Sequence, residues 1–248
     1  MTAVLLHGVP ETPAIWEPLR SALRRRDVRA LRLPGFGGPR PHGFGATKEE
    51  YVAWLAAELE AIEDEVDLVG HDWGGGLVVR LVSTRPGLVR SWVTDAAGLG
   101  HVDFRWHDAA LLWQTPDAGE QFFEQLRALP VEERAAALGG YGIPPGHALT
   151  MAAGIDGVMA ASILALYRSA VHVGEEWSPA FTDVPAPGLV LVPAGDPFLA
   201  GDVARAAAAR AGAAVADLPG LGHWWMLQDP AAGAARLETF WSGVLRRG

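Results

Sequence analysis

The stretch VDLVGHDWGGG, residues 66–76, decides the fold predicted for this chain. Residues 66–69 are a short apolar run typical of a buried strand, and a helix is predicted from about Gly74. Between them, Gly70-His71-Asp72-Trp73-Gly74 has the form glycine, any residue, nucleophile, any residue, glycine, in the strand–turn–helix context that this sharp turn requires. The Asp72 side chain is therefore predicted to project from the carboxyl end of a parallel sheet, where ligands bind.

Short apolar runs alternate with helical stretches on both sides of this turn, as in sheets built from strand–helix units. Strands are predicted at residues 2–6, 28–33, 66–69, 88–94, 188–192 and 213–218. Residues 99–182 are instead rich in helix formers and tryptophan. We predict an α/β fold with a mostly parallel sheet flanked by helices in residues 1–98 and 183–248, and a helical insertion at 99–182.

Composition limits the classes of function. The formal net charge of −9 argues against binding to nucleic acid or to an anionic membrane surface. The sequence contains no run of about 18 apolar residues, so no transmembrane helix is predicted. The absence of cysteine excludes disulfides, thiolate metal sites and cysteine catalysis. We expect a cytoplasmic monomer or homodimer that acts on a small molecule.

The residue at the turn indicates the chemistry. None of the seven serines has the context of Asp72, so a serine nucleophile is not expected. A carboxylate has a pKa of about 4 and is ionised at neutral pH without a base. It can displace a group from an electrophilic sp3 carbon and form an ester with the substrate. Hydrolysis of that ester then needs a histidine that activates water.

His223 is predicted to be this base, because it lies in a Gly-Leu-Gly-His-Trp loop after the last predicted strand. The acid that orients it is predicted to be Asp196, which follows the strand at 188–192, and the order Asp72, Asp196, His223 suits this kind of site. Asp95, at the end of the strand at 88–94, is the alternative acid. The backbone N–H groups of Val9 and Trp73 are predicted to form the oxyanion hole.

We expect no metal and no cofactor. The nearest candidate for a metal site, His101 with Asp103 and His107, lacks a convincing ligand spacing. His7 is expected to be structural.

The motifs HGVPET, GHDWGG and GLGHWW resemble those of the epoxide hydrolase and haloalkane dehalogenase branch of the α/β-hydrolase superfamily, over nearly the whole chain. The resemblance implies that residues 99–182 form a cap over Asp72. Members of this branch usually have two more strands before the HGxP motif, so the sheet is expected to be shortened at its N-terminal side.

In epoxide hydrolases of this branch, two cap tyrosines donate hydrogen bonds to the epoxide oxygen. Leu166-Tyr167-Arg168 resembles one of these positions. The other aligns near Ala109, where tyrosine is absent, and Tyr141 is a candidate substitute.

The dehalogenase alternative implies two donors to a leaving halide. Trp73 is one candidate. The position that often supplies the second is Val9 in this chain, which leaves Trp113, Trp106 or Trp224 for that role. The leading hypothesis is an epoxide-hydrolase-like enzyme acting on a small or medium apolar substrate. A haloalkane dehalogenase, an ester or lactone hydrolase with the same triad, and a non-catalytic binding module remain as alternatives.

Overall fold

The computed structural model describes residues 1–246, and its centre is one sheet of six parallel strands. Their order across the sheet is β2-β1-β3-β4-β5-β6. The strands are β1 (Thr2–Leu6), β2 (Val28–Leu31), β3 (Val66–Gly70), β4 (Ser91–Thr94), β5 (Gly188–Pro193) and β6 (Ala214–Leu218). All six predicted strands are present. The predicted strand at 88–94 is shorter than expected, because residues Pro86–Leu88 form a 3-10 turn before it.

Twelve α-helices lie between and after the strands within the described residues. They are α1 (Glu17–Ala22), α2 (Lys48–Glu60), α3 (Trp73–Thr84), α4 (Asp108–Gln114), α5 (Ala118–Ala128), α6 (Val131–Gly139), α7 (Pro145–Gly154), α8 (Gly157–Arg168), α9 (Val173–Trp177), α10 (Gly201–Ala211), α11 (Trp225–Gln228) and α12 (Pro230–Leu245).

The register of the central strands determines where the site lies. Leu6 in β1 pairs with Gly70 in β3, and Gly70 pairs with Thr94 in β4. The residues that follow these positions therefore leave the sheet side by side at its carboxyl edge. The strand order also reverses here, since β2 lies on one side of β1 and β3 on the other. Such a reversal opens a crevice above the sheet, which is where ligands bind in open α/β folds.

Two hydrophobic clusters hold the sheet between its helices. Because alternate side chains of a strand point to opposite faces, β1 contributes Val4 and Leu6 to one cluster and Ala3 and Leu5 to the other. All four side chains are fully buried. The sheet is covered on both faces, as parallel sheets require.

The segment between β4 and β5 contains only helices as regular structure, from a 3-10 turn at Ala97–Gly100 to α9. Helix α4 packs against α5 and α8, and α6 packs against α7. Asp156 begins α8 by accepting a hydrogen bond from the backbone N–H of Met159 at 2.8 Å. This segment supplies many of the aromatic side chains above the carboxyl edge of the sheet.

No single helix within residues 1–246 has the length and apolar character needed to cross a membrane. The pair α7 and α8 meets those criteria only when taken together, and the two helices are bent by 88° at the break between them.

Candidate active site

The turn between β3 and α3 holds Asp72 in a strained backbone conformation, with φ 50° and ψ −124°. Only glycine fits on either side of Asp72 in this turn, at positions 70 and 74. A Cβ atom at Gly74 would lie 2.3 Å from the carbonyl oxygen of Leu6, and one at Gly70 would lie 2.4 Å from the carbonyl oxygen of Gly74. The strain is concentrated at the residue whose side chain projects from the sheet, which is typical of functional positions.

The loop after β1 receives the Asp72 carboxylate. The backbone N–H of Val9 donates to Oδ1 of Asp72 at 2.8 Å. The backbone N–H of Trp73, at the first position of α3, acts on the same carboxylate and lowers its pKa. Gly8 makes room for this arrangement, because a Cβ there would lie 2.3 Å from Oδ1 and 2.4 Å from Cβ of Asp72. Oδ1 of Asp72 is thus held by the Val9 N–H.

The other oxygen of Asp72 faces His223. Nε2 of His223 lies 3.7 Å from Oδ2 of Asp72, and Nδ1 of His223 lies 2.8 Å from Oδ2 of Asp196. The remaining oxygen of Asp196 accepts hydrogen bonds from the backbone N–H groups of Phe198 and Leu199. The structure therefore brings the three predicted residues together in the order Asp72, His223, Asp196.

Asp95, the alternative acid, lies in a different set of contacts. Its Oδ1 accepts a hydrogen bond from the backbone N–H of Asp72 at 2.9 Å, and its Oδ2 binds Nδ1 of His71 at 2.6 Å and Nε1 of Trp225 at 2.8 Å. These bonds direct the Asp95 carboxylate to the turn itself, whereas Asp196 has the bond to the ring of His223. The geometry favours Asp196 as the acid.

A buried ionic network underlies the turn. His71 lies between two carboxylates, with Nδ1 on Asp95 and Nε2 on Oε1 of Glu11 at 3.1 Å, and all three side chains are almost wholly buried. Burial alone would lower the pKa of His71, but the charges and hydrogen bonds of Asp95 and Glu11 raise it well above its usual value. Burial likewise opposes the ionised form of Glu11, yet His71 holds the pKa of Glu11 below its usual value. His71 is therefore an imidazolium at neutral pH.

Burial raises the pKa of Asp72 to about 6, although the positive charges of His223 and His71 act in the opposite direction. The Asp72 carboxyl is therefore ionised at neutral pH and protonated in mild acid. The pKa of His223 is raised, because the hydrogen bond and charge of Asp196, with the charge of Asp72, outweigh burial and the nearby His71. The rings of His71 and His223 are 4.6 Å apart, so proton transfer to His223 is opposed by a fixed positive neighbour.

A cavity of about 260 Å³ opens above Asp72 and His223. Most of its wall is apolar and aromatic, and both the sheet edge and the middle helical segment contribute to it. The aromatic rings in the wall come from Trp113, Phe122, Phe123, Tyr141, Tyr167, Phe198 and Trp224. A cavity with this lining fits a small or medium apolar molecule.

The predicted tyrosines lie in this wall. Tyr167 is 2% exposed, and burial raises its pKa well above the usual value. The Trp73 side chain, whose ring centroid lies 5.5 Å from that of Tyr167, opposes this rise, and the Tyr167 hydroxyl makes no hydrogen bond within residues 1–246. Tyr141 is 54% exposed and packs on Phe198 with ring centroids 5.5 Å apart. Ala109 also lines the cavity, at the position where the resemblance implies a second tyrosine.

The tryptophans differ in whether their indole N–H groups are free. Trp106 donates to the carbonyl oxygen of Ala170, and Trp224 donates to Glu11. In the described part of the chain, the buried indole N–H groups of Trp73 and Trp113 have no hydrogen-bond partner. Trp113 lines the main cavity, whereas Trp73 borders a small adjoining pocket next to Asp72.

Glu11, His71 and His223 present ligand atoms within 4.8 Å of one another, a spacing that a metal ion can bridge. However, both ring nitrogens of His71 already bind carboxylates, and a protonated imidazole offers no lone pair. The donor set therefore does not fit a metal. His107, from the sequence-based metal candidate, instead accepts a hydrogen bond from the N–H of Ala110 and lines the cavity.

Three residues at or beside the site were not singled out in the sequence: Glu11, Phe198 and Arg134. Glu11 follows the HGVP segment directly, so its position in that motif was the available signal. Phe198 follows Asp196 by two residues. Arg134 lies in the alanine-rich helix α6 and carries no local signal, because only the packing of the middle segment brings it to the cavity.

Residues 3–236 match the sequence profile described as the alpha/beta hydrolase family. A stretch of 100 residues, 38% of the chain, is 40% identical to a 2-hydroxy-6-oxo-2,4-heptadienoate hydrolase of Pseudomonas putida. That stretch spans about a third of the relative, 36% of its length.

Solved structures agree with the fold. The haloalkane dehalogenase DbeA of Bradyrhizobium elkani USDA94 superposes with a TM-score of 0.77 at 21% identity, covering 100% of this chain and 91% of that one. The enol-lactonase of Burkholderia xenovorans LB400 superposes with a TM-score of 0.75 at 15% identity, covering 97% and 91%. At these identities the similarity shows the fold, and it confirms the predicted fold class.

Proposed function

Because the chain belongs to the alpha/beta hydrolase family, we propose that it hydrolyses its substrate through a covalent ester on Asp72. The observation that carries this proposal is the division of the Asp72 carboxylate between two partners. Oδ1 accepts the Val9 N–H at 2.8 Å, while Oδ2 lies 3.7 Å from Nε2 of His223. One oxygen is thus placed for charge stabilisation and the other for attack.

The substrate class that we propose is a small or medium apolar epoxide. Oδ2 of Asp72 attacks a ring carbon, the bond from that carbon to the ring oxygen breaks, and the ring oxygen takes a proton from the Tyr167 hydroxyl. Tyr167 is suited to this step because it lies in the cavity wall, its hydroxyl is protonated at neutral pH, and the neighbouring Trp73 side chain opposes the rise in its pKa that burial causes. The product of the first half-reaction is an ester of Asp72.

The second half-reaction returns the enzyme to its starting state. His223 takes a proton from water, whose oxygen adds to Cγ of the ester, and the Val9 N–H stabilises the negative charge on Oδ1. The bond from Cγ to the substrate-linked oxygen breaks, and that oxygen takes the proton from His223 to give a diol. The other water proton returns to Tyr167. Asp196 holds His223 in the tautomer that accepts at Nε2.

A single turnover in heavy-oxygen water tests the ester route. The water oxygen adds to Cγ, so we expect the label in the Asp72 carboxylate after one turnover and in the product only after later ones. Mass spectrometry of the peptide that contains Asp72 reads this directly. Label found only in the first product would contradict the ester and favour direct attack of water, as in an ester or lactone hydrolase.

A haloalkane dehalogenase is the second candidate, and it is favoured by the buried indole N–H groups of Trp73 and Trp113, which have no hydrogen-bond partner within residues 1–246. A leaving halide accepts such donors, and it needs no proton from Tyr167. The two candidates separate with a terminal epoxide and a bromoalkane of equal chain length, by measuring diol formation against bromide release.

Variants of the donors make this comparison sharper. For an epoxide hydrolase, Tyr167→Phe lowers kcat on the epoxide by about 100-fold, the scale of general acid catalysis. Trp113→Phe is the matched control, with a small effect on the epoxide. For a dehalogenase the ranking reverses on the bromoalkane.

A further inference from the structure

Arg134 is an unusual residue in the wall of an apolar cavity. It lies in α6, within the middle helical segment, and it lines the same cavity as Asp72 and His223. Among the described residues that form this wall, it is the one whose side chain is positively charged at every pH at which the protein is folded. The Arg134 side chain is partly buried, and a charge removed from water is costly unless something binds it.

The guanidinium has few partners within residues 1–246. Nη1 donates to the carbonyl oxygen of Ile155 at the long distance of 3.4 Å, and Nε is buried without any partner. A guanidinium has five N–H donors in a rigid fork. Nη1 is directed to Ile155 and Nε is closed off from solvent, so Nη2 is the nitrogen left open to a ligand, and its N–H groups can make a charge-assisted hydrogen bond to a carboxylate.

No acid of the described chain binds Nη2 of Arg134. Glu132 and Glu133 precede Arg134 in α6, but both are exposed, and residues one or two positions apart in a helix do not face each other. α7, which packs against α6, contains no acidic residue. Asp156, next to Ile155, accepts the N–H of Met159 at the start of α8. Asp72 is the carboxylate in the cavity wall, and it is bound to Val9.

We propose that Arg134 binds a carboxylate of the substrate, at the end remote from the carbon that Asp72 attacks. The substrate class is then a short aliphatic acid with an apolar middle and a terminal electrophile. The identity of the electrophile rests on the proposed function, whereas the anion subsite does not. Arg134 is a specificity-determining residue, because its contact is made equally in the ground state and in the transition state and so acts mainly on KM.

The kinetic test compares hexanoic acid carrying a terminal epoxide with its primary amide, which has the same shape without the charge. A charge-assisted contact predicts that the enzyme prefers the acid by about 10- to 100-fold in kcat/KM, mostly through KM. Arg134→Met abolishes the preference, and Arg134→Lys retains part of it. Arg127→Met, on the exposed face of the neighbouring helix α5, is the matched control and keeps the preference. Equal rates on acid and amide, or a preference that survives Arg134→Met, would overturn the proposal.

A binding measurement separates this proposal from the ester mechanism. Asp72→Asn is titrated calorimetrically with hexanoate and with hexanamide, neither of which reacts. We expect hexanoate to bind about 10- to 100-fold more tightly than hexanamide. Adding Arg134→Met to this variant removes the difference, and adding Arg134→Lys reduces it. Equal binding of the two ligands refutes the anion subsite, even if a reactive substrate alkylates Asp72 of the native enzyme. Selective hexanoate binding with no alkylation of the native enzyme retains the subsite and refutes the mechanism.

Discussion

The carboxylate of Asp95 accepts a hydrogen bond from the backbone N–H of Asp72, with 2.9 Å between the nitrogen and Oδ1. The same carboxylate binds the imidazolium of His71. Asp95 therefore fixes the backbone of the turn that presents the proposed nucleophile. The two acids follow neighbouring strands but have different contacts, because Asp95 binds the backbone of the turn and Asp196 binds the ring of His223.

This difference predicts that two matched substitutions affect different properties, activity for Asp196→Asn and stability for Asp95→Asn. Asp196→Asn keeps the bonds to the Phe198 and Leu199 N–H groups but presents an N–H to Nδ1 of His223, which forces the wrong tautomer. We expect at least about a 100-fold loss of kcat with little loss of stability. Asp95→Asn removes one of the two carboxylates that hold the buried His71 cation and turns an N–H group toward the donors of His71 and Trp225, so it lowers the free energy of unfolding by roughly 3 kcal/mol.

Urea unfolding and steady-state kinetics on both variants check this prediction. If Asp95→Asn stays as stable as the native protein while losing activity, and Asp196→Asn remains active, Asp95 would be the catalytic acid.

The proposed mechanism requires His223 only in its second half. His223→Gln should therefore be alkylated once by substrate and then stall, because the Asp72 carboxylate needs no base to attack. Intact-protein mass spectrometry should show one added substrate mass per chain, located on the peptide that carries Asp72. Asp72→Asn with the same substrate is the control and should gain no mass. An unlabelled His223→Gln that still binds substrate would exclude the displacement step.

The pKa of Asp72 predicts the pH dependence of the first step. Since burial raises this pKa to about 6, the alkylation rate should fall by about tenfold per pH unit below that value as the carboxylate is protonated. Ester formation removes the Asp72 charge, which contributes to the raised pKa of His223. The pKa governing ester hydrolysis should therefore lie below that of His223 in the free enzyme. Rapid-quench measurements between pH 5 and 9 separate the steps, and an alkylation rate that stays constant down to pH 5 would refute the first assignment.

The same pKa predicts a gain of stability on removing the charge. The folded protein holds its Asp72 proton up to about pH 6, whereas the usual carboxyl value is 3.8, so the folded state binds more protons in this window and its stability falls as pH rises through it. Asp72→Asn should match the native protein near pH 4 and exceed it above pH 6. Two pH units correspond to at most about 3 kcal/mol. Thermal unfolding across pH 4–8 measures the difference, and a constant offset between the proteins would contradict the linkage.

Local sequence patterns were sufficient to predict the turn that carries Asp72 and the loop that carries His223. The strand–turn–helix context of Asp72 and the glycine-rich loop of His223 are continuous in the chain, and the structure brings both residues together. The choice between Asp196 and Asp95 could not be made with certainty, because both follow strands that end at the same edge of the sheet. Only the direction of each carboxylate in space separates them.

Side chains of the middle segment were harder to assign for a physical reason. Whether an indole N–H is free depends on contacts between distant residues, such as the bond from Trp106 to the carbonyl of Ala170. The sequence could not therefore separate Trp106 from Trp113. Arg134 was missed for the same reason, since its neighbours in α6 resemble those of any solvated helix.

The contact between Gly8 and Asp72 has a consequence for how such a site can change during evolution. The atoms that exclude a side chain at position 8 include Cβ of Asp72 as well as Oδ1. Any residue at position 72 with a Cβ, serine and cysteine included, imposes the same demand for glycine. The loop after β1 is thus fitted to the path of the turn and is compatible with more than one reactive group. A lineage can exchange its nucleophile by replacing one amino acid and inherit the surrounding backbone unchanged.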